Sequence, residues 1–504
     1  MDRRTFLETS LLGVAVTKFG SPALRPLDPL RPLRSFQPSR PRSSPMIGIQ
    51  VGAVSFVDEG TDRVLDGFGE MAAINTLFLA TFTYGRGIAG RQPRGNPLPD
   101  HGKQEYDDNF HGGNFATPHP QFYRNTSIAP EKAPDHPGYD VIADVLPAAH
   151  RRSMKVICWF EDVFNKDVAG LDKAVEIDLH GQPTTRTCMR NPNTRNFWLG
   201  LVEDYLRSYD VDGLMWGSER QGPLDNAIGA SHGGGGNPAT VGCFCPYCID
   251  AARKAGVDVD RARKGFETLA AWVTDMRAGR RPNDGAFVTF WRILVDHPEV
   301  LAWERLWNEA LRDTYRDLYA KAHEIAPAKG MGWHIWHNNS FSPFYRAEQD
   351  YSEFSKYSDF PKVVMYNNSG GPRMAQYIRN VNATLFADLT PEQTLEFTYR
   401  VQHYSGEKPL DRISKEGLSA DYVRRETERA VKGVSSTVKI WPGIDIDIPT
   451  GPNEKKTTPD DVYQAVRAAF DGGGHGVLLS RKYSEMPLAN LRAAGRAVRD
   501  LKLV

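Results

Sequence analysis

Eight short apolar runs, separated by longer amphipathic stretches, constrain the fold of this 504-residue chain more than any other feature. Such alternation is typical of repeated strand–helix units, which form parallel sheets. Eight units with no run left over predict a closed (β/α)8 TIM barrel with long loops after its strands. A doubly wound sheet is the alternative, but no glycine-rich phosphate turn follows the first run.

The eight predicted strands are 47–51, 74–79, 155–160, 213–216, 330–335, 362–366, 438–441 running on towards 447, and 476–479. Helices are predicted around 64–71, from about 140, around 196–209 and 300–325, and at the end of the chain. The stretch 84–137 is dense in Gly, Pro, His and Asp and has no periodicity. Loops of that length in a compact domain are usually functional.

The first residues predict an exported protein. Arg3 and Arg4 precede a weakly apolar segment, which is the twin-arginine export pattern. Residues 21–45 are rich in Pro, Arg and Ser and predict a disordered linker. We therefore expect 1–45 to be signal and linker, 46–504 to be the catalytic barrel, and the protein to be periplasmic or secreted.

The charge pattern argues against polyanionic partners. Lys plus Arg and Asp plus Glu number 62 each, with no basic block, so neither nucleic acid nor an anionic membrane is an expected partner. No later segment approaches the roughly 20 apolar residues that a membrane span needs. The sequence leaves a homo-oligomer open.

Four of the five cysteines predict a metal site. Cys243, Cys245 and Cys248 lie within six positions, and Cys188 precedes the fourth strand by one predicted helix. A C-x-C-x-x-C run with one distant cysteine is typical of tetrahedral Zn²⁺. Four thiolates would leave no open coordination position, so the predicted zinc is structural and holds the loop after Glu219. A disulfide is the alternative in an oxidising compartment.

Barrels of this type carry their chemistry at the C-terminal ends of the strands, where this sequence places aromatic and acidic residues. Indole rings stack on sugar rings, and carboxylates and histidines pair with hydroxyls, so the mouth is predicted to bind a carbohydrate. Packing between strands and helices is the alternative for some of the aromatic residues. The predicted substrate-binding residues are Trp159, Glu161, Trp216, Trp333, His334, His337, Tyr366, Trp441 and Arg481.

Glycoside cleavage needs two carboxyl groups, and the strand ends offer several. Glu219 is the predicted proton donor, because the neighbouring Trp216 would raise its pKa by desolvation. Asp445 is the preferred nucleophile and Asp447 the second choice, while Glu161 lies one strand away. The alternatives are a buried salt bridge for Glu219, to Arg220 or Arg481, and a capping or loop-ordering role for the aspartates.

The histidines leave two further functions open. His334 and His337 are three apart on a strand end, a spacing that places them on opposite faces and suits substrate hydrogen bonding better than one metal ion. A metal-dependent hydrolase that uses these histidines with His101, His111 and His119 is an alternative. A non-catalytic carbohydrate-binding barrel is another.

The segment from Cys188-Met-Arg-Asn-Pro, through the strand with Trp216 and Glu219, to Cys243-x-Cys245-x-x-Cys248 resembles a known family. It is similar to the zinc-bearing β-galactosidases of glycoside hydrolase family 42 and to related uncharacterised glycosidase-like barrels. The resemblance implies the four zinc ligands and an acid/base role for Glu219. Two positions depart from the family pattern: Ser218 stands where the family has Asn, and strand seven offers only Asp where the family has its nucleophilic Glu.

Overall fold

The computed structural model describes residues 44–504. The predicted export signal and most of the predicted linker lie outside the described residues. Within them, no helix combines the length and the apolar character needed to cross a membrane.

Eight parallel strands close into a barrel, which confirms the predicted fold. Each strand pairs with the next along the chain, and the first also pairs with the last, so the barrel has no free edge. The strands are β1 (Met46–Gly52), β2 (Thr76–Thr83), β3 (Lys155–Glu161), β4 (Gly213–Gly217), β5 (Gly330–Ile335), β6 (Phe360–Val364), β7 (Trp441–Asp445) and β8 (Gly476–Ser480).

Helices connect the strands and cover the barrel. Asp140 shows how the sequence starts one of them: its carboxylate accepts hydrogen bonds from the backbone amides of Ile142 and Ala143 at the first turn. The helices are Ala53–Glu59, Thr61–Ala72, Arg86–Ala89, Val141–Arg151, Pro192–Ser208, Pro223–Ile228, Pro246–Lys254, Val259–Arg277, Ala286–Asp296, Glu299–Ile325, Pro343–Glu348, Tyr351–Phe354, Asn367–Asn382, Pro391–Gln402, Leu410–Glu416, Ala420–Gly433, Pro459–Asp471 and Leu488–Asp500.

Several long excursions leave the barrel after its strands, and the longest runs from the end of β4 to the start of β5. The stretch between β2 and the helix at Val141 is mostly irregular and contributes Gly113–Asn114, which pairs antiparallel with β2. A small hairpin, Val175–Ile177 with Pro183–Thr187, follows β3.

The barrel has an apolar interior below its mouth and a second apolar layer outside. Along β3, Ile157 and Trp159 join the interior cluster, while Val156, Cys158 and Phe160 join the layer between strands and helices. This is the period-two alternation of a strand buried on both faces.

Strand seven differs from its prediction. The predicted strand covered 438–441 and ran on towards 447, whereas β7 begins at Trp441 and ends at Asp445. Trp441 therefore lies at the opposite end of the barrel from the mouth, stacked on Phe360 with ring centroids 4.0 Å apart. The prediction that Trp441 contacts substrate is wrong.

Candidate active site

A row of polar residues lines the inner face of the barrel at its mouth. Glu161 of β3 pairs in register with Gly217 of β4, Gly217 with His334 of β5, and His334 with Lys362 of β6. Residues that pair directly across neighbouring strands point to the same face of a sheet. The register therefore places a carboxyl, an imidazole and an ammonium group side by side.

Two glycines make room for these side chains. A Cβ at Gly217 would lie 3.3 Å from Cβ of His334 and 3.4 Å from Cγ of Glu161. A Cβ at Gly443 of β7 would lie 2.6 Å from Cε of Lys362. Any larger residue would displace the polar groups from the barrel interior.

A chain of hydrogen bonds joins this row to Glu219, which follows β4. Lys362 Nζ donates to Tyr366 Oη at 2.6 Å and lies 3.3 Å from His334 Nδ1, while His334 Nε2 lies 2.7 Å from Glu219 Oε1. Because an ionised Glu219 carboxylate can only accept, Nε2–H of His334 donates to it, which leaves Nδ1 of the neutral ring to accept from Lys362. We call Glu161, Glu219, His334 and Lys362 the polar layer.

The carboxyl of Glu219 is held ionised. Burial favours its protonated form, but the hydrogen bond from His334 and the positive charge of Arg373 outweigh burial and lower the pKa of Glu219 to about 2. Although the surrounding protein desolvates it in part, its side chain keeps 48% of its surface exposed. Neither arginine weighed as its partner binds it: Arg220 pairs with Asp162 and Arg481 with Glu485.

Glu161 is held protonated. It is only 7% exposed, and burial, reinforced by the negative charge of Glu219, raises the pKa of Glu161 to about 8. Burial and the charge of neighbouring Lys362 also lower the pKa of His334, so its imidazole is neutral. Lys362 itself is fully buried, which lowers its pKa to about 7. The two glutamates thus have pKa values pushed in opposite directions, as in known acid/base pairs.

The predicted cause of a raised pKa at Glu219 is wrong. Trp216 is fully buried on the outer face of β4, where its ring lies 5.1 Å from Tyr315. Trp333 lies in the same outer layer and donates its indole N–H to the Tyr357 carbonyl. Neither residue reaches the mouth, so their predicted contact with substrate is also wrong.

Trp159 belongs to the barrel interior rather than to the cavity. It is 1% exposed and packs in the apolar cluster below Glu161, with Phe78 and Met215. The prediction that it binds substrate is therefore wrong. Its indole is instead part of the apolar cluster beneath Glu161, which shields that carboxyl group from water.

Asp445 lies at the mouth, but its oxygens are occupied. The side chain is fully buried and accepts hydrogen bonds from the amides of Ser369 and Ile448 at 2.8 and 3.0 Å, and from Thr457 Oγ1 at 3.4 Å. These bonds engage both carboxylate oxygens and order the loops around Asp445, and its role as the nucleophile stays a prediction. Asp447 is partly exposed beside them, and burial raises its pKa to about 6.

Three further predicted residues gather around the polar layer. His337 Nδ1 lies 3.1 Å from Arg373 Nη1, and the His337 ring faces Tyr366 at 5.6 Å between centroids. Arg481 makes two hydrogen bonds of 3.0 Å to Glu485 and lines the cavity above the barrel. The structure thus brings Glu219, Glu161, His334, His337, Tyr366 and Arg481 to one mouth.

The four predicted zinc ligands meet in one cluster. Their sulfurs all lie within 4.8 Å of one another, and the Cys188 sulfur lies 3.6 Å from those of Cys245 and Cys248. A tetrahedron of Zn–S bonds of about 2.3 Å puts its sulfurs about 3.8 Å apart, whereas a disulfide needs about 2.05 Å. The cysteines are free thiols, and their spacing fits the metal rather than the disulfide.

Arg220 joins this cluster to the end of β4. Its guanidinium pairs with Asp162 at 2.6 Å and donates to the carbonyl and hydroxyl of Thr187, the residue before Cys188. Ser218 also donates to Asp162, at 3.1 Å. Arg220, the residue after Glu219, is therefore tied directly to the segment that carries Cys188, and Ser218 is tied to Asp162, which pairs with Arg220.

The loop histidines are engaged separately from one another. His101 contacts Glu59, His111 lies 3.7 Å from Asp167, and His119 pairs with Asp204. Within residues 44–504, the cysteine cluster is the one group of three or more side chains placed to hold a metal ion. The histidine cluster that the metal-dependent alternative needs does not form in this part of the chain.

Sequence reasoning missed Lys362 and Arg373. The predicted strand six began at Lys362, which made the lysine look like a strand edge. In the structure β6 begins two residues earlier, so Lys362 lies inside the barrel. The sequence signal for a buried lysine was that Lys362 directly precedes the apolar run Val-Val-Met. Arg373 lies in the helix Asn367–Asn382, and nothing in its local sequence marks it.

The fold and the mouth define a (β/α)8 barrel with two carboxyl groups at the strand ends. Residues 120–218, which include β3 and β4, match the family described as Glycosyl hydrolase-like 10. The matched segment is well under half of the chain. It is nevertheless the part that carries Glu161. No curated protein matches the chain.

Solved structures with the same architecture include three glycosidases or glycosidase domains. A β-galactosidase from the Antarctic haloarchaeon Halorubrum lacusprofundi is 12% identical with a TM-score of 0.50, over 91% of this chain and 58% of that one. The PgaB (BpsB) glycoside hydrolase domain from Bordetella bronchiseptica is 12% identical, with a TM-score of 0.47 over 91% and 98%. The α-L-fucosidase isoenzyme 2 from Paenibacillus thiaminolyticus is 10% identical, with a TM-score of 0.47 over 91% and 49%.

This chain thus spans about half the length of that fucosidase. At such identities the likeness is one of fold alone. A relation to glycoside hydrolase family 42 in particular, like a homo-oligomer, stays a prediction.

Proposed function

We propose that the chain is a glycoside hydrolase in which Glu161 protonates the leaving oxygen and Glu219 acts on the anomeric carbon, directly or through a water. The observation that carries the proposal is the opposed pair of carboxyl pKa values at one barrel mouth, about 8 for Glu161 and about 2 for Glu219. At neutral pH one group can donate a proton while the other is an anion, which is the division of labour that glycoside cleavage requires.

This assignment changes the predicted roles, because Glu161 was predicted to bind substrate and Asp445 to be the nucleophile. Glu219 was predicted to be the proton donor, but a carboxyl that His334 keeps ionised has no proton to give. The hydrogen bond from His334 instead orients the Glu219 carboxylate, and Lys362 fixes the His334 tautomer that donates it. Burial of Glu161 above Trp159 keeps its proton in place until a leaving oxygen accepts it.

The test uses aryl glycosides of both anomers with leaving groups of different acidity. Glu219→Gln should abolish turnover of every substrate that the wild type cleaves. Glu161→Gln should lose most activity on 4-nitrophenyl glycosides and much less on 2,4-dinitrophenyl glycosides, because a good leaving group needs no proton. Glu392→Gln, at an exposed helix position, is the control.

The same experiment separates the alternatives. Equal losses for both leaving groups in Glu161→Gln would refute its role as proton donor. No turnover by the wild type, with oligosaccharide binding retained, would favour the non-catalytic barrel.

We also propose that Cys188, Cys243, Cys245 and Cys248 hold a structural Zn²⁺. The spacing of the sulfurs and their soft thiolate chemistry support this. When bound, the ion would supply cross-linking of the hairpin after β3 to the segment before the helix Pro246–Lys254. Export through the twin-arginine pattern stays a prediction.

A further inference from the structure

A cavity of about 650 Å³ opens at the mouth, between the segments that follow β2, β6, β7 and β8, and carries an excess of positive charge. Arg373, Arg481 and Lys456 line it, against the single acidic residue Glu454. Glu454 already accepts a hydrogen bond from the Gly451 amide at 2.7 Å. A neutral sugar gains nothing from a net positive charge beyond single hydrogen bonds, whereas a carboxylate or sulfate gains charge-assisted ones.

Arg373 is the cavity arginine that makes no direct ion pair, although the Glu219 carboxylate lies near enough to interact with its charge. Arg481 is neutralised by its two hydrogen bonds to Glu485. Arg373 bonds instead to Nδ1 of His337, at 3.1 Å. Burial lowers the pKa of His337 well below its usual range, so this partner is neutral. Among residues 44–504, no carboxylate lies within ion-pair distance of Arg373.

Two other largely buried arginines make direct ion pairs. Arg220 contacts Asp162 at 2.6 Å, and Arg346 contacts Glu426 at 2.9 Å. The planar fork of guanidinium donors matches a carboxylate or a sulfate. Arg373 thus keeps donors that no carboxylate among residues 44–504 accepts directly.

Arg373 also lies close to the groups that would act on the scissile bond. Its guanidinium carbon is 5.7 Å from the ring centroid of Tyr366, whose hydroxyl accepts the hydrogen bond from Lys362. An anion bound by Arg373 would therefore belong to the sugar that is cleaved or to its immediate neighbour.

We propose that the substrate is an acidic glycoside, whose carboxylate or sulfate ester binds Arg373, with Lys456 adding positive charge at the rim. This inference rests on the proposed hydrolase function and names the class of substrate. Lys456 donates to the carbonyls of Thr450 and Gly451 and contributes its charge without a carboxylate partner there.

The test compares pairs of 4-nitrophenyl glycosides that differ only in an acidic group: glucuronide with glucoside, galacturonide with galactoside, and 6-sulfated with unsulfated N-acetylglucosaminide. The wild type should have the higher kcat/KM for the acidic member. Arg373→Gln should reduce the acidic-to-neutral ratio at least about tenfold, the value of one charge-assisted hydrogen bond. Arg379→Gln, exposed on the same helix, should leave the ratio unchanged.

The ratio is the informative readout because Arg373 also acts on Glu219. Loss of that electrostatic effect would change turnover of both members of a pair alike. An unchanged ratio in Arg373→Gln, or a wild-type preference for the neutral members, would overturn the inference and leave the hydrolase function standing.

A binding measurement decides the inference even where no substrate is cleaved. Uronates in the gluco, galacto and manno series, at matched ionic strength, should raise the Tm of the wild type more than their neutral parents do. Arg373→Gln should lose this difference. Equal shifts for acids and parents in the wild type would refute the anion site, whereas a uronate-specific shift without turnover would refute only the hydrolase.

Discussion

Replacement of Glu161 by Gln should make the protein more stable at neutral and basic pH. The folded protein holds the Glu161 proton more tightly than the unfolded chain, so this residue favours folding at low pH. That contribution is lost as the pH rises from the ordinary value of 4.5 through the folded value of about 8. Glutamine is neutral at every pH and lacks this loss.

The size of the effect follows from the pKa difference. The pKa of Glu161 in the folded protein and its ordinary value differ by roughly 3.5 pH units. Each unit corresponds to about 1.4 kcal/mol in the free energy of unfolding. Between about pH 5 and about pH 8, the free energy of unfolding of Glu161→Gln should therefore rise by about 3 kcal/mol relative to wild type.

Guanidinium chloride unfolding, at unit pH steps across that range, measures this difference. Glu392→Gln should show no comparable trend, because its side chain is exposed. A stability difference that stays flat with pH would refute a protonated Glu161. A difference that grows towards acid would mean that Glu161 is ionised and paired.

Three other predictions concern the polar layer and its supports. The kcat/KM should fall above about pH 8, where Glu161 loses its proton, and stay level down to the acid limit of folding because Glu219 is ionised throughout. Cys245→Ser should lower the zinc content measured by mass spectrometry and the Tm, while Cys158→Ala, outside the cysteine cluster, should keep its metal. Asp445→Asn should cost about 1–3 kcal/mol of stability, since an amide cannot accept all its hydrogen bonds, and should reduce kcat/KM far less than Glu219→Gln.

Each of these has a clear contrary outcome. An activity that rises through about pH 8 would contradict the proton donor. Zinc retained in Cys245→Ser would mean that the thiolates are not its ligands. A complete loss of turnover in a folded Asp445→Asn would return that residue to the catalytic role predicted from the sequence.

The architecture could be predicted because apolar runs and amphipathic helices alternate along the whole chain. β7 was misplaced for a physical reason. Its residues Trp-Pro-Gly-Ile-Asp include a proline and a glycine, which weaken a strand by themselves, and pairing with β6 and β8 overrides that local preference.

The sequence could also have predicted which face of a strand each residue occupies. Period-two alternation puts Gly217 on the inner face of β4 and Trp216 on the outer, so Trp216 could have been assigned to packing. The same count puts Glu161 on the inner face of β3. The place of Arg373 at the mouth could not be predicted, because it depends on how one helix packs over the barrel.

The link from Arg220 to Thr187 has a consequence for how preparations of this protein should behave, given the proposed zinc. Molecules that lack the ion would lose the anchor on one side of Glu219, whereas loaded molecules would keep it. A partly loaded sample is then a mixture of two populations rather than a uniformly slower enzyme. Titration of competent sites should count the loaded molecules, with each competent site turning over at the same rate.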